Sequence, residues 1–145
     1  MRLRTSICLV LILLVAGCAK KPIEDELAGR YTLTSSAVLP SGSDAPRLME
    51  APKDIEGTMI LLSDGSMSQS IAFHGEIAKT LPGVYLSGTW RVLGTERKIK
   101  FVSTSGLNTN QTSIVDFDWA DPVLKTTISA GAFVETDTWT KAKQG

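Results

Sequence analysis

Short runs of alternating apolar and polar residues, separated by turn-forming residues, recur along most of this chain of 145 residues. Alternation with a period of two places successive side chains on opposite faces of a strand. The clearest run is 84–92, where Val84, Leu86, Trp90 and Val92 alternate with polar residues. Turn signals about every eight to twelve residues are typical of an all-β sandwich or barrel. The pattern therefore predicts an all-β domain.

The alternation predicts eight strands joined mostly by short connections, with a helical turn before the first strand. We place the strands at residues 29–34, 57–62, 67–73, 84–92, 98–102, 112–119, 123–128 and 133–141. Short connections between consecutive strands favour an antiparallel up-and-down order. Eight such strands can close into a barrel, which leaves no exposed edge and is either filled by side chains or wide enough for one small ligand.

One connection is too long for this scheme. Residues 35–56 contain three prolines and show no clear period. A connection of this length inside a compact domain is usually functional or disordered. The two interpretations are a lid over one end of the barrel and a mobile surface loop.

The amino terminus has the order of a secretory signal. A cationic start at Met1–Arg4 is followed by the largely apolar stretch 7–16 and by small residues that lead to Cys18. The apolar stretch is about half the length of about 20 residues that crosses a bilayer, and this order of regions is typical of a signal peptide. The alternatives are a plain signal peptide and a buried apolar segment with an incidental cysteine.

The sequence Val15-Ala16-Gly17-Cys18 resembles the bacterial lipobox. The resemblance implies diacylglycerol on the Cys18 sulfur, cleavage before this residue and acylation of the new amino terminus. Two or more acyl chains anchor a protein stably in a membrane. With Ala19 as the next residue, the resemblance also implies the outer membrane of a Gram-negative envelope, facing the periplasm. The chain then divides into a signal peptide at 1–17, a lipidated tether at 18–26 and a barrel domain at 27–145.

Cleavage changes the counts of cysteine and charge. Cys8 leaves with the signal and Cys18 carries the lipid, so no intramolecular disulfide is expected. Arg2 and Arg4 leave as well, and the remaining 128 residues carry 13 basic and 15 acidic side chains, a formal charge of −2. A charge so close to balance argues against nucleic acid as a partner.

Three short motifs resemble those of lipocalin-like barrels. Leu27-Ala28-Gly29-Arg30-Tyr31 is similar to their opening, where a helical turn leads to Gly-x-Trp, although this chain has Gly-x-Tyr. Gly88-Thr89-Trp90 and Thr138-Trp139-Thr140-Lys141 are similar to strands of small bacterial lipocalin-like lipoproteins. The likeness spans most of 27–141. It implies a calycin-type barrel and allows an apolar ligand, and it carries over no catalytic residue.

Aromatic residues on the predicted inner faces are the candidate ligand-binding residues. Rings in a barrel of this size either pack as its core or surround a cavity, and both interpretations stay open. The candidates are Tyr31, Trp90, Phe101, Phe117 and Trp139.

Glu135 and Asp137 share a face of the last predicted strand with its two aromatic residues. The aromatic rings favour an inward face, whereas the carboxylates favour an outward one. We expect that the acids face outward, or that a β-bulge in this strand lets the face switch. Acids inside the barrel would need a partner such as Arg30, Arg91 or a cationic ligand.

The sequence predicts no catalytic residue, no metal and no cofactor. His74 is the single histidine, and no Gly-x-Ser-x-Gly motif is present to supply a nucleophile. One histidine and a lipidated cysteine do not make a zinc site of the usual kind. A hydrolase that uses His74 is therefore the last of three hypotheses.

The first hypothesis is a non-enzymatic, membrane-anchored envelope lipoprotein that binds a small apolar or amphipathic ligand. The second is a protein-binding module, such as an inhibitor or immunity protein against an envelope-acting hydrolase or toxin, with 35–56 as its contact surface. The expected partners are the membrane, through Cys18, and either the small ligand or an envelope protein. We expect a monomer.

Overall fold

The computed structural model describes residues 22–106 and 109–143. It contains one short helix, α1 at Ile23–Leu27, and a 3₁₀ turn at Ile77–Lys79. The strands are β1 Gly29–Pro40, β2 Arg47–Glu50, β3 Ile55–Leu61, β4 Ser66–Phe73, β5 Val84–Val92, β6 Lys98–Gly106, β7 Thr112–Ala120, β8 Val123–Ser129 and β9 Phe133–Lys141. The predicted signal peptide and Cys18 lie outside the described residues.

Eight strands form a closed antiparallel barrel. From β3 to β9 each strand pairs with the next one along the chain, and β1 pairs with β3 on one side and with β9 on the other. The closing pair runs from Tyr31 opposite Lys141 to Pro40 opposite Phe133. The predicted eight-stranded up-and-down barrel with a short helical turn before it is confirmed.

Much of the segment 35–56 belongs to strands of the barrel wall, so its interpretation as one continuous loop, either a lid or a mobile surface loop, is wrong. The first strand does not end at residue 34, because β1 continues to Pro40. The short strand β2 then pairs with residues 35–38 of β1. Its side chains alternate, with Met49 buried and Leu48 exposed. The prolines obscured this alternation because they stand at the ends of β1 and β2 or between them.

A β-bulge in β1 decides which side chains enter the barrel. The pairing with β9 shifts between Leu33 and Ser35, so that Thr34 is an extra residue. Before the bulge Tyr31 and Leu33 are buried, and after it Ser36 is buried. The inward positions of β1 thus change from odd to even numbers at Thr34, as expected when one residue is inserted into a ladder.

The two ends of the barrel differ. At the end that we call the closed end lie α1 and the β3–β4, β5–β6 and β7–β8 turns, and Leu27 of the helix is fully buried. At the opposite, open end lie β2 and the β4–β5, β6–β7 and β8–β9 connections. Buried side chains at the closed end include Leu27, Tyr31, Leu61, Met67, Trp90, Ile99, Phe117 and Leu124.

At two positions, 65 and 88, the backbone requires glycine, in one case for its conformation and in the other for lack of space. Gly65 has a φ of +84° in the tight β3–β4 turn, where Asp64 accepts hydrogen bonds from the amide and the hydroxyl of Ser66. Gly88 lies where the pairing of β5 and β6 shifts register, and a Cβ there would collide with the carbonyl oxygen of Val102. The Gly-x-Trp motif at 88–90 therefore has a steric cause at its first position.

Candidate functional site

A cavity of about 550 Å³ lies inside the open end of the barrel. It exists because the inward side chains of this half do not meet at the barrel axis, whereas those of the closed end do. The residues around it are Val38, Met49, Met59, Gln69, Ile71, Phe73, Leu81, Pro82, Val84, Leu86, Phe101, Ser103, Gln111, Ser113, Val115, Thr126, Ile128, Phe133, Glu135, Asp137 and Trp139.

The wall is mostly apolar, and each of the strands β1 to β9 contributes at least one inward side chain to it. On β4, for example, Gln69, Ile71 and Phe73 all face the cavity. Leu81 and Pro82, in the β4–β5 connection, line the cavity and are also exposed to solvent. The mouth of the cavity is therefore beside this connection.

Glu135 and Asp137 point into the cavity, contrary to our expectation. The register of β9 against β8 is continuous from Val134 to Thr140, so no bulge separates the acids from the aromatic residues on the same face. The bulge lies in the neighbouring strand β1 instead, at Thr34. The period-two alternation of the strand, which puts both acids on the same face as Phe133 and Trp139, therefore gave the correct orientation. The polarity of the two side chains suggested the wrong one.

The two carboxyl groups share one recorded donor from the protein. The Ser36 hydroxyl, buried on β1 directly opposite Asp137, donates to Glu135 Oε1 at 3.4 Å. Asp137 Oδ1 is buried and has no hydrogen-bond partner. Burial raises the pKa of Asp137 to about 7, with a smaller contribution from the charge of Glu135. Burial raises the pKa of Glu135 as well.

Two of the five predicted aromatic residues border the cavity. Phe101 projects from β6, and Trp139 projects from β9, where its indole N–H donates to Thr126 Oγ1 at 3.2 Å. Tyr31, Trp90 and Phe117 are buried at the closed end, away from the cavity. Of the five aromatic residues, two therefore belong to the cavity wall and three to the packed core. A ligand-binding role for the first two residues stays a prediction.

The closed-end aromatics are held by hydrogen bonds of their own. The Tyr31 hydroxyl donates to the Leu27 carbonyl at 2.5 Å, and the Trp90 indole donates to the Leu62 carbonyl at 2.9 Å. Lys141 Nζ donates to the Glu26 carbonyl at 2.7 Å. These bonds tie the helix and a turn to the barrel and give polar atoms of large buried rings a partner.

His74 lies outside the cavity. Its Nε2 atom is 3.5 Å from Glu56 Oε2, on a surface where both side chains are substantially exposed. Two acids of β7 also lie on the surface, where Asp116 pairs with Lys98 at 2.9 Å and Asp118 pairs with Arg97 at 2.6 Å.

Several cavity residues were missed from the sequence. Val38 and Met49 lie in the segment interpreted as a loop, and Leu81 and Pro82 lie in a connection that has no period. Alternation about Met49 in 47–50 was the one available signal, and four residues are too few to distinguish it from chance.

Within residues 22–106 and 109–143, no group of three or more His, Cys, Asp or Glu side chains could hold a metal ion. In the same part of the chain, no helix has the length and apolar character needed to cross a membrane. A scan against protein-family models and a search of curated proteins both find no match.

Proposed function

We propose that this protein is a non-enzymatic, lipid-anchored envelope protein whose lipocalin-like barrel binds one small amphipathic ligand. The observation that carries the proposal is the cavity of about 550 Å³ in the open end. Small-molecule sites typically measure about 300–1,000 Å³ and combine an apolar wall with a few polar groups. Side chains fill the interior at the closed end, whereas here a mostly apolar wall is left open to solvent. An exposed apolar surface of this kind favours a binding role.

The polar atoms in the wall favour an amphipathic ligand over a purely apolar one. Both carboxyl groups of the wall, Glu135 and Asp137, lie on β9, while most of the other lining residues are apolar and the remaining polar ones, such as Gln69, are uncharged. A ligand without polar atoms would displace water from the carboxyl groups and give nothing in return, which is costly for buried polar groups. A ligand with one polar group and an apolar body would satisfy both parts of the wall.

The proposed anchor would hold the mouth of the cavity away from the membrane. The described chain begins at Pro22 and enters the barrel through α1, at the closed end. Four peptide units separate Cys18 from Pro22, and they span at most about 14 Å when extended. If Cys18 carries lipid, the closed end would lie near the bilayer and the open end would face the aqueous compartment. The ligand would then be taken from the periplasm.

Native mass spectrometry and a filled cavity would test the binding role. The expected result is that protein purified from its own envelope carries a small molecule, and that Ile71→Trp, which places an indole in the cavity, loses it. The matched control is Ala72→Trp, because Ala72 is the next residue on β4 and is exposed on the outer face. Ligand-free wild-type protein, or equal occupancy in both variants, would rule out the proposed site.

Processing in the presence of globomycin would test the anchor. We expect the antibiotic to block maturation, and we expect Cys18→Ala to give an unprocessed or soluble form. Cys8→Ala is the control, since the change lies within the predicted signal peptide and leaves the lipobox intact. Normal maturation and membrane attachment of Cys18→Ala would show that the lipobox interpretation is wrong.

A second candidate function is a protein-binding module, and the edge strand β2 favours it. Within the described chain, β2 pairs with β1 alone, and its Leu48 side chain is 58% exposed. An unpaired strand edge can accept a strand from a partner protein. Surface plasmon resonance with a panel of lysozymes would test this candidate. Leu48→Lys should abolish binding, and Leu62→Lys, at an exposed leucine elsewhere, should not.

A further inference from the structure

The described wall of the cavity contains two carboxyl groups and no cationic side chain. Among the described residues around it, Glu135 and Asp137 are the only ionisable side chains. Arg30 and Arg91, the partners that the sequence suggested for inward acids, are exposed residues that do not line the cavity. Pairs of carboxyl groups with no cation nearby are rare in protein interiors, because each charge loses hydration without gaining a partner.

One carboxyl oxygen lacks even a neutral hydrogen-bond donor. Asp137 Oδ1 is buried and unpartnered, while the Ser36 hydroxyl, which lies close enough to both acids to lower the pKa of each, donates to Glu135 Oε1 at 3.4 Å. The indole N–H of Trp139, on the same face of β9, is already given to Thr126. An orphaned buried acceptor of this kind costs about 1–3 kcal/mol, and more when it is charged. It needs a donor that the described chain does not supply.

We propose that the ligand of this cavity is a primary amine with an apolar body, whose ammonium group binds between Glu135 and Asp137. The inference rests on the proposed binding function and names its ligand class. An ammonium group supplies both of the missing elements, because it carries a positive charge and three N–H donors. The apolar body would pack against Ile71, Phe73 and Phe101 on the opposite side of the cavity.

The wall argues against other cations. A divalent metal such as Ca²⁺ takes about six to eight oxygen ligands, whereas the wall around the two carboxyl groups is largely apolar. A quaternary ammonium group has no N–H and cannot donate a hydrogen bond to either carboxyl group. Two carboxyl acceptors in the cavity wall therefore favour a protonated amine that retains its N–H bonds.

The protonation of the acids adds support and gives a pH dependence. Burial raises the pKa of Asp137 to about 7 and raises that of Glu135. The group facing them from β1 is Ser36, and those from β8 are Thr126 and Ile128, none of which is charged. Amine binding requires the carboxylate forms, so the affinity should rise as the pH increases from 5.5 to 8. Affinity for an uncharged ligand should not rise.

Isothermal titration calorimetry with three probes that share one decyl chain tests the proposal. The probes are decylamine, decanol and decyltrimethylammonium, each below its aggregation concentration, at pH 8. A hydrogen bond to a charged group contributes enough for about a 10–100-fold difference in affinity. We therefore expect decylamine to bind wild-type protein about 10–100-fold more tightly than decanol, with decyltrimethylammonium weaker than decylamine.

Matched variants locate the effect. The double variant Glu135→Gln/Asp137→Asn should bind decylamine and decanol equally. The control is Asp116→Asn/Asp118→Asn, which removes the same charge from the outer face of β7 and should keep the wild-type preference. The pH series on wild-type protein gives a second readout that needs no variant.

The outcomes separate the two proposals. Equal binding of decylamine and decanol by wild-type protein, or an unchanged preference in the double variant, overturns the amine inference and leaves the ligand-binding function standing. Equal binding of decylamine and decyltrimethylammonium would show that charge alone is recognised and overturns the assignment to a primary amine. Failure of all three probes, together with ligand-free native protein, overturns the binding function itself.

Discussion

The closed and open ends of this barrel follow the same alternating pattern but use it differently. At the closed end the buried hydroxyl of Tyr31 and the indole of Trp90 each have a carbonyl partner, and side chains fill the interior. At the open end the same pattern surrounds a cavity of about 550 Å³, and Asp137 Oδ1 has no partner. One half of the molecule satisfies its buried polar groups internally, and the other leaves space and a buried oxygen without a donor.

This difference indicates where stability and function lie in the fold. Close packing and complete hydrogen bonding are what a sequence optimised for folding provides throughout its core. Departures from these rules concentrate at functional sites, and other parts of the structure offset their cost. The closed end, with α1 packed over it, is the part that can offset the cost here.

The largest expected effect is the loss of a closed-end ring. Trp90→Ala removes a buried indole and its hydrogen bond, and it should lower the free energy of unfolding by about 3–5 kcal/mol. Phe101→Ala, at the cavity wall, should cost less than half as much, because one side of this ring already lacks contacts. Urea denaturation of both variants measures the difference. Equal losses would contradict the distinction between a packed and a hollow end.

Asp137→Asn should change how stability depends on pH. The pKa of Asp137 in the folded protein is about 7, against an ordinary value of 3.8. Below pH 3.8 both folded and unfolded chains hold the proton. As the pH rises from 3.8 to about 7, only the folded chain holds it, so the free energy of unfolding falls, and the loss is complete above about 7.

The size of this loss follows from the difference between the two pKa values. At about 1.4 kcal/mol per pH unit, wild-type protein should lose up to about 4 kcal/mol between pH 4 and pH 8 relative to Asp137→Asn. Chemical denaturation across this pH range measures it. Asp116→Asn, on the outer face, should keep the wild-type dependence, and an identical pH profile in Asp137→Asn would show that the open end carries no such cost.

Much of the barrel could be predicted because one physical rule, alternation between core and solvent, acts on every strand. The bounds of 84–92 and 133–141 were predicted exactly, since both strands are long and end at clear turn signals. The first strand was predicted six residues too short, because its alternation changes phase at the Thr34 bulge and then reads as irregular. A bulge depends on the neighbouring strand and leaves no reliable mark in its own sequence.

The site was harder to predict than the fold because a functional site breaks the rule that identifies the fold. The acids at 135 and 137 occupy inward positions, where alternation alone places apolar residues. The alternation of the strand predicted inward acids, whereas their charge predicted outward ones. Deciding between the two required the register of β9, which only the assembled barrel provides. For the same reason, the sequence did not show which aromatic residues line the cavity and which pack in the core. Tyr31 and Phe101 both occupy inward positions of predicted strands, but they lie at opposite ends of the barrel.

A smaller effect is expected from the hydroxyl that ties the helix to the closed end. Tyr31→Phe leaves the ring in place but removes the donor to the Leu27 carbonyl, which should cost about 0.5–1.5 kcal/mol. Tyr85→Phe is the matched control, because Tyr85 is 60% exposed. Loss of its hydroxyl should change the free energy of unfolding by no more than about 0.5 kcal/mol. Thermal denaturation compares the two. Decylamine affinity should not change in either variant, because neither residue borders the cavity.

The smallest expected effect on stability comes from Ser36, the donor to the acid pair of the open end. Its replacement tests the difference between the two ends at the acids alone. Ser36→Ala removes a hydrogen bond of 3.4 Å, which is long, so the stability should change by less than about 1 kcal/mol. The Ser36 hydroxyl lowers the pKa of both acids, so its loss should raise both pKa values and move the pH dependence of stability upward. NMR titration of the carboxyl carbons measures this directly. Ser35→Ala, one residue earlier on the outer face of β1, should leave both titrations unchanged. An unchanged titration in Ser36→Ala would mean that the two carboxyl groups have a donor other than this serine, and the open end would then resemble the closed one.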